Sequence, residues 1–308
     1  MEKNVLSIKN RKDFRDWLSA HHDKETECYV ELKRGKPEKD DVFYYLDAVE
    51  EALCFGWIDS TLKELDGRKM QRFSPRKRNS PWTELNKERV RRLERLGLMT
   101  DAGRAVLPPM GPRSFRIDSD IESTLKKARA WSKFKSFPPL YQRVRAYNIA
   151  FYKKQDPEQF KRSLNRLIKE TKEGKSYGEW NDYGRLPADN IPCINYVHEP
   201  DDLQCGQAVL AMLTGKPVLQ VSSELNNSRE TTLKEMKEYI KAHGLAISDK
   251  RCQAESRYDL PSLCLLSLET PRCWHWSLYC SGVFFDPEHN ILYDFPESNR
   301  KFYWEINI

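Results

Sequence analysis

Ile8, Phe14, Trp17 and Leu18 recur at helical intervals through Ser7 to Ala20, which predicts an amphipathic helix there. The following ECYVELKRG alternates apolar and polar positions in the manner of a strand. From Tyr45 the apolar positions Leu46, Val49, Leu53 and Cys54 return to three- and four-residue spacing, and Gly56 supplies a stop. WIDSTLKELDGRKMQRFSPR then holds two short strand-like runs around Asp66-Gly67, a dipeptide suited to a hairpin turn. Helical periodicity resumes over Trp82 to Leu98 and over Asp118 to Thr171, broken by Pro-rich turns at 108–112 and at Pro138-Pro139.

EGKSYGEWNDYGRLPADNIP, rich in Gly, Asp, Asn and Pro, reads as a linker and sets a boundary near residue 190. Beyond it a short apolar helix is expected over Cys205 to Leu213 and an amphipathic one over Thr231 to His243. The remainder, SLCLLSL, HWSLYC, GVFFD, ILYDF and KFYWEINI, is strand-like. The expectation is an α+β protein: a small α+β domain over residues 1–104, a helical extension and linker over 105–189, and over 190–308 a helix packed on an antiparallel sheet.

Composition changes this picture in two ways. With 39% hydrophobic and 32% charged residues in 308, the chain is long enough for two globular units and too polar for membrane insertion. Charge is also divided: residues 1–190 hold 41 basic against 30 acidic side chains, a surplus of 11, whereas 191–308 hold 11 against 16, a deficit of 5. The two units therefore carry different surfaces. The first residues contain no apolar stretch of the kind that export requires. Eight cysteines are scattered without a CxxC pair, so they read as reduced thiols of a cytoplasmic protein, with no structural metal and no cofactor.

The chemistry sits in the last third. Cysteine catalysis needs a thiolate, a base, and a polar group that orients the base. In DDLQCGQAVLAML a turn-prone acidic pair precedes Cys205, which opens an apolar helix. A sulfur there feels the positive helix terminus and its unpaired N–H groups. His275 begins an alternating strand in CWHWSLYC, and Asp286 ends the next one in GVFFDPEHN, where Pro287 terminates pairing. Taken singly, a Cys opening an apolar helix or a His between tryptophans is an ordinary core residue. Their joint occurrence in order, on suitable elements, points to a Cys205–His275–Asp286 triad.

QCGQAVLAML, HWSLYC and FFDPEHN resemble the Cys, His and Asp motifs of the papain-like peptidases that process double-glycine leaders of bacteriocins. The resemblance spans most of residues 190–308, including TGKPVLQVSSELNNSRETTLKEMKEYIKAHGL. It implies Cys205 as nucleophile, His275 as general base and acid, and Asp286 as the orienting group. One position departs from the family: Glu199 stands where a Gln completes the oxyanion hole. An ionised Glu does not donate, so Gln204, His198 or Asn195 are the candidate replacements. A missing donor costs about 3 kcal/mol of transition-state stabilisation.

LCFGWIDS, FSPRK and SPWTELN, with FPPLYQRVRAYN and YGEWNDYGRL further on, resemble the YdeI/OmpD-associated family over residues 5–188. That family is linked to bacteriocin protection and stress resistance. Within the segment Arg72, Arg76, Lys77 and Arg78 make a basic loop beside Phe73 and Trp82, a composition that could hold an anion or a partner. A solvated turn explains it better than nucleic-acid binding, because no nucleic-acid module accompanies it. Cys54, Trp57 and Asp59 could line a pocket with that loop or belong to the core.

The leading expectation is a cysteine-dependent hydrolase acting on a peptide or protein, with N-terminal domains that recognise a partner or regulate access. A non-catalytic peptide-binding protection protein and a cysteine-dependent acyltransferase are the alternatives. Oligomeric state is left open.

Overall fold

The structure is a computed structural model describing residues 4–39, 42–77, 79–111 and 114–307. Its N-terminal part contains β1 (Val5–Leu6), α1 (Arg11–His21), β2 (Cys28–Glu31), α2 (Tyr45–Cys54), β3 (Trp57–Leu65), β4 (Arg68–Pro75), α3 (Glu84–Arg95) and α4 (Asp101–Ala105). Four more helices follow: α5 (Ser119–Lys127), α6 (Trp131–Lys135), α7 (Pro139–Phe151) and α8 (Pro157–Glu173). The last part holds α9 (Cys205–Thr214), α10 (Val218–Leu225) and α11 (Leu233–Ala242). It continues with β5 (Ala246–Ile247), β6 (Cys252–Gln253), β7 (Leu263–Glu269), β8 (Trp274–Cys280), β9 (Val283–Asp286), β10 (Asn290–Leu292) and β11 (Lys301–Asn307). The fold is α+β, as the residue pattern predicts. Among the described residues no helix is long and apolar enough to cross a membrane.

The first helix starts later than its apolar spacing suggests. Asn10 caps it by accepting the Asp13 N–H, leaving Ile8 outside. Asp66 and Gly67 both take positive φ, 50° and 73°, and close the β3–β4 hairpin. That hairpin lies in a four-stranded sheet of order β1-β2-β4-β3, against which α1 and α2 pack. The helical extension keeps a core of its own, built on Ile121, Leu125, Phe134, Tyr141 and Leu167.

In the last part β10-β9-β8-β7-β11-β5 form the main sheet, with neighbouring strands antiparallel and β6 pairing off β11. Helix α9 lies on this sheet through Val209 and Leu210, which join Leu265, Leu278, Phe285 and Trp304 in the core. The same buried cluster continues into the N-terminal part through Ile191, Ile194, Leu96 and Leu98, and the Ile194 N–H donates to the Arg95 carbonyl at 2.7 Å.

A buried ionic cluster reinforces that junction. Glu50 accepts from Arg92 Nη1 and from Arg11 Nη1, each at 2.7 Å, and from Arg185 Nη1 at 3.2 Å. Glu51 binds Arg11 and Arg15, and Asp47 binds Arg185 at 2.9 Å. Arg92, fully buried, also donates to the carbonyl of Ser281 at the β8–β9 turn. Burial alone would raise the Glu50 carboxyl, but the surrounding guanidinium groups of Arg92, Arg11 and Arg185 bring it down to about 2.

Candidate active site

Cys205 is the first residue of α9, after Gln204 at the N-cap. The local sequence requires this placement. A Cβ at position 206 would come within 1.8 Å of Thr231 Oγ1, so Gly206 lets the helix start pass close under the Thr231 side chain without displacing it. Gln207, fully buried, fastens the two by donating to the carbonyls of Asn227 and Arg229 at 3.1 and 2.7 Å. Trp276 closes the arrangement from the sheet: its indole N–H reaches the Thr231 carbonyl at 3.0 Å, and its backbone N–H lies 3.5 Å from Cys205 Sγ.

His275, near the start of β8, meets the thiol. Its Nε2 lies 3.1 Å from Asp286 Oδ1, which leaves Nδ1 as the ring atom that meets Cys205. Burial would depress the imidazole, but the hydrogen bonds and charges of Asp286 and Cys205 overcome it and raise the group to about 10. Asp286 is fully buried at the end of β9. Its Oδ1 also accepts the backbone N–H groups of Glu288 and His289 at 3.1 and 2.9 Å, and His289 Nδ1 lies 2.9 Å away. Burial pushes this carboxyl up, yet His275 and these donors hold it at about 2. The Asp286–Pro287 turn thus fixes the carboxylate before it fixes the ring.

Three segments that carry the site are tied by Arg272, which donates to Asp202 at 3.0 Å and to Glu288 at 2.7 Å. Tyr196 adds a hydroxyl that donates to the Asp286 and Pro287 carbonyls at 3.1 and 3.2 Å. His289 and Tyr196 escaped sequence reasoning. The signal for His289 was its place three residues after an Asp that opens a turn, where a side chain can reach back to the carboxylate.

Of the proposed oxyanion replacements, none is aimed at the thiol. The Gln204 amide donates to the Ser228 carbonyl at 2.9 Å, His198 is exposed beside the Tyr196 hydroxyl at 3.3 Å, and Asn195 is exposed. Glu199 itself comes to the site. One of its carboxylate oxygens lies within 4.8 Å of Cys205 Sγ and a His275 ring nitrogen, and these three groups are the kind that hold a metal ion. Its backbone N–H is anchored to the Pro287 carbonyl at 3.1 Å, while its Oε2 is buried without a partner. Burial raises its pKa, and Glu288, Asp286 and Asp202 act in the same direction against His275.

The basic loop of the N-terminal part spends two of its cations internally. Arg72 pairs with Glu27 at 2.6 Å and reaches Ser60 at 3.1 Å, and Arg76 lies buried, its guanidinium 3.6 Å from the Trp82 ring centre. Burial lowers Arg76 to about 10. Lys77 is exposed, and Arg78 lies outside the described residues. Cys54 and Trp57 are core, the indole N–H donating to the His22 carbonyl at 3.0 Å.

Comparison with known proteins gives one match: the family model described as a domain of unknown function (DUF8412) covers residues 6–106. No curated protein and no solved structure matches the chain. Cys205, His275 and Asp286 all lie beyond the matched segment.

Four of the other thiols are held back by burial. Burial pushes Cys54 and Cys280 up to about 12, and raises Cys28 and Cys264 well above the ordinary thiol range. Iodoacetamide at neutral pH is therefore expected to label Cys205 well before Cys264 or Cys280. Peptide mapping of a time course reads the order, and equal rates would remove the case for an activated thiol.

Proposed function

We propose that this protein is a cysteine-dependent hydrolase of the papain-like type, acting on peptide or protein substrates in the cytoplasm. The observation that carries the reading is the line from Cys205 at the start of α9 through His275 to Asp286, with 3.1 Å between imidazole and carboxylate. The Cys205 thiolate attacks the substrate carbonyl carbon, and the carbonyl electron pair moves onto oxygen beside the helix N-terminal N–H groups. Protonated His275 passes its proton to the departing amine as the carbon–nitrogen bond breaks, leaving a thioester. Water then attacks the thioester with His275 as base, releasing the carboxylic acid and regenerating the thiolate–imidazolium pair.

An exposed aromatic ring favours a peptide as the substrate. Trp274, beside His275 in sequence, is 48% exposed and stacked on Phe302 at 5.9 Å, which offers an apolar ring to a substrate side chain. The N-terminal part, with its resemblance to the YdeI/OmpD-associated family, gives the hydrolase a bacteriocin- or stress-protection setting, with partner recognition or control of access as its role.

A second reading, a protection protein that binds peptides without cleaving them, is favoured by Glu199 at the position where an amide donor is expected. The acyl-enzyme separates the two. Wild-type protein incubated with a pool of peptides and quenched in acid is expected to show a substrate-derived mass increment on the peptide that contains Cys205. Binding of peptides with no such increment at any quench time favours the second reading.

A further inference from the structure

We propose that Glu199, Cys205 and His275 form a binding site for a zinc-like divalent cation, which silences the thiol while bound. The inference rests on Cys205 as the working nucleophile and assigns that same site a regulator. The three side chains are 8%, 9% and 3% exposed, and one donor atom from each falls inside a 4.8 Å span. Zinc bonds of about 2.0–2.3 Å place tetrahedral ligand atoms roughly 3.3–3.8 Å apart, so the span suits one ion held by sulfur, nitrogen and oxygen with a fourth corner for water. Thiolate with imidazole selects zinc over magnesium or calcium, which require oxygen ligands.

Two further observations point to a cation. The buried Glu199 Oε2 has no hydrogen-bond partner, and a metal ligand bond would give it one. Behind the ring, Asp286 holds His275 through Nε2, the carboxylate–histidine support that steadies metal-bound imidazoles. Sequence spacing conceals the set, because Glu199 and Cys205 precede His275 by the whole helical half of the unit. When the ion binds, the proton shared by Cys205 and His275 leaves to solvent. The sulfur lone pair that would attack a carbonyl then makes the metal bond instead. No oxidation is involved, and chelation restores the thiolate.

The test uses the full reduced chain, freed of metal with EDTA and exchanged into buffer, then titrated with cobalt(II). Wild type is expected to bind one ion with a sulfur-to-cobalt charge-transfer band that zinc displaces. Cys205→Ala should lose the band, Glu199→Gln should weaken binding by about tenfold or more, and Cys193→Ser and Cys273→Ser, which remove the exposed thiols, should leave it unchanged. Should the site variants misfold, zinc must still slow iodoacetamide labelling of Cys205 in wild type and EDTA must reverse the effect. Absence of a sulfur–cobalt band in wild type, or equal affinity in Glu199→Gln, overturns the site. An acyl-enzyme in EDTA without the band overturns only the metal site. A band without any acyl-enzyme overturns the hydrolase and leaves the metal site standing.

Discussion

If the proposed hydrolase reading holds, Cys205→Ala is expected to lower hydrolysis of a cognate peptide by ~10⁴-fold or more, the scale on which a triad acts as a unit. The substitution removes one sulfur atom from a site whose framework does not depend on it. Gln207, Thr231 and Trp276 continue to hold the start of α9 against the sheet, and Asp286 continues to hold His275. Circular dichroism and thermal midpoint should therefore match wild type, which isolates the chemical loss from a folding loss. Asp286→Asn should cost less than Asp286→Ala, since an amide oxygen still accepts from His275 Nε2 and keeps the ring turned toward the thiol. Initial rates in EDTA measure all three variants. Activity of Cys205→Ala within tenfold of wild type would assign the chemistry to another group.

Glu50→Ala is expected to destabilise the protein by about 3–5 kcal/mol, because it strands buried guanidinium charge. Arg92 is fully buried, and Glu50 is the carboxylate it meets at 2.7 Å. Arg11 and Arg185 would retain Asp47, and Arg11 also Glu51, so Arg92 bears most of the damage. Glu50→Gln, which keeps the shape but not the charge, should fall between wild type and Glu50→Ala. The same carboxylate carries an acid signature. Its folded value of about 2 lies below the ~4.3 of an unfolded Glu, so its contribution is full above pH ~4.3 and is lost as pH falls toward 2. Urea midpoints of wild type and Glu50→Gln should converge over that window. A gap that stays constant down to pH 2 would deny Glu50 the charged role.

The residue pattern revealed the long elements and hid the short ones. Helices α2, α3 and α9 and strands β7, β8 and β11 announce themselves by period, and the Asp66-Gly67 turn by its dipeptide. Helix α10 did not, because PVLQVSSEL mixes β-branched residues with a proline that serves as its N-cap. The two-residue strands β1, β5 and β6 exist through pairing with β2 and β11, which no local signal encodes. Cys205, His275 and Asp286 were legible because each sits at an element end that a periodicity change marks. Glu199 could be seen as a departure from an expected amide but not as a neighbour of both Cys205 and His275, since that depends on how the 191–204 segment folds back over β9. The fate of Arg72 and Arg76 was likewise tertiary, set by Glu27 and Trp82.

The reach of Arg92 to the Ser281 carbonyl bears on how this chain can be divided. His275 and Asp286 belong to the two strands that meet at that turn, and its anchor comes from a helix more than a hundred residues upstream. A fragment cut near residue 190 would keep all three side chains of the proposed triad yet lose the clasp at the far end of the β8–β9 hairpin, along with the apolar cover from Leu96 and Leu98. The proposed Cys205–His275–Asp286 site is thus poor material for transplantation onto another protein, and the N-terminal part is better regarded as its chassis than as its passenger.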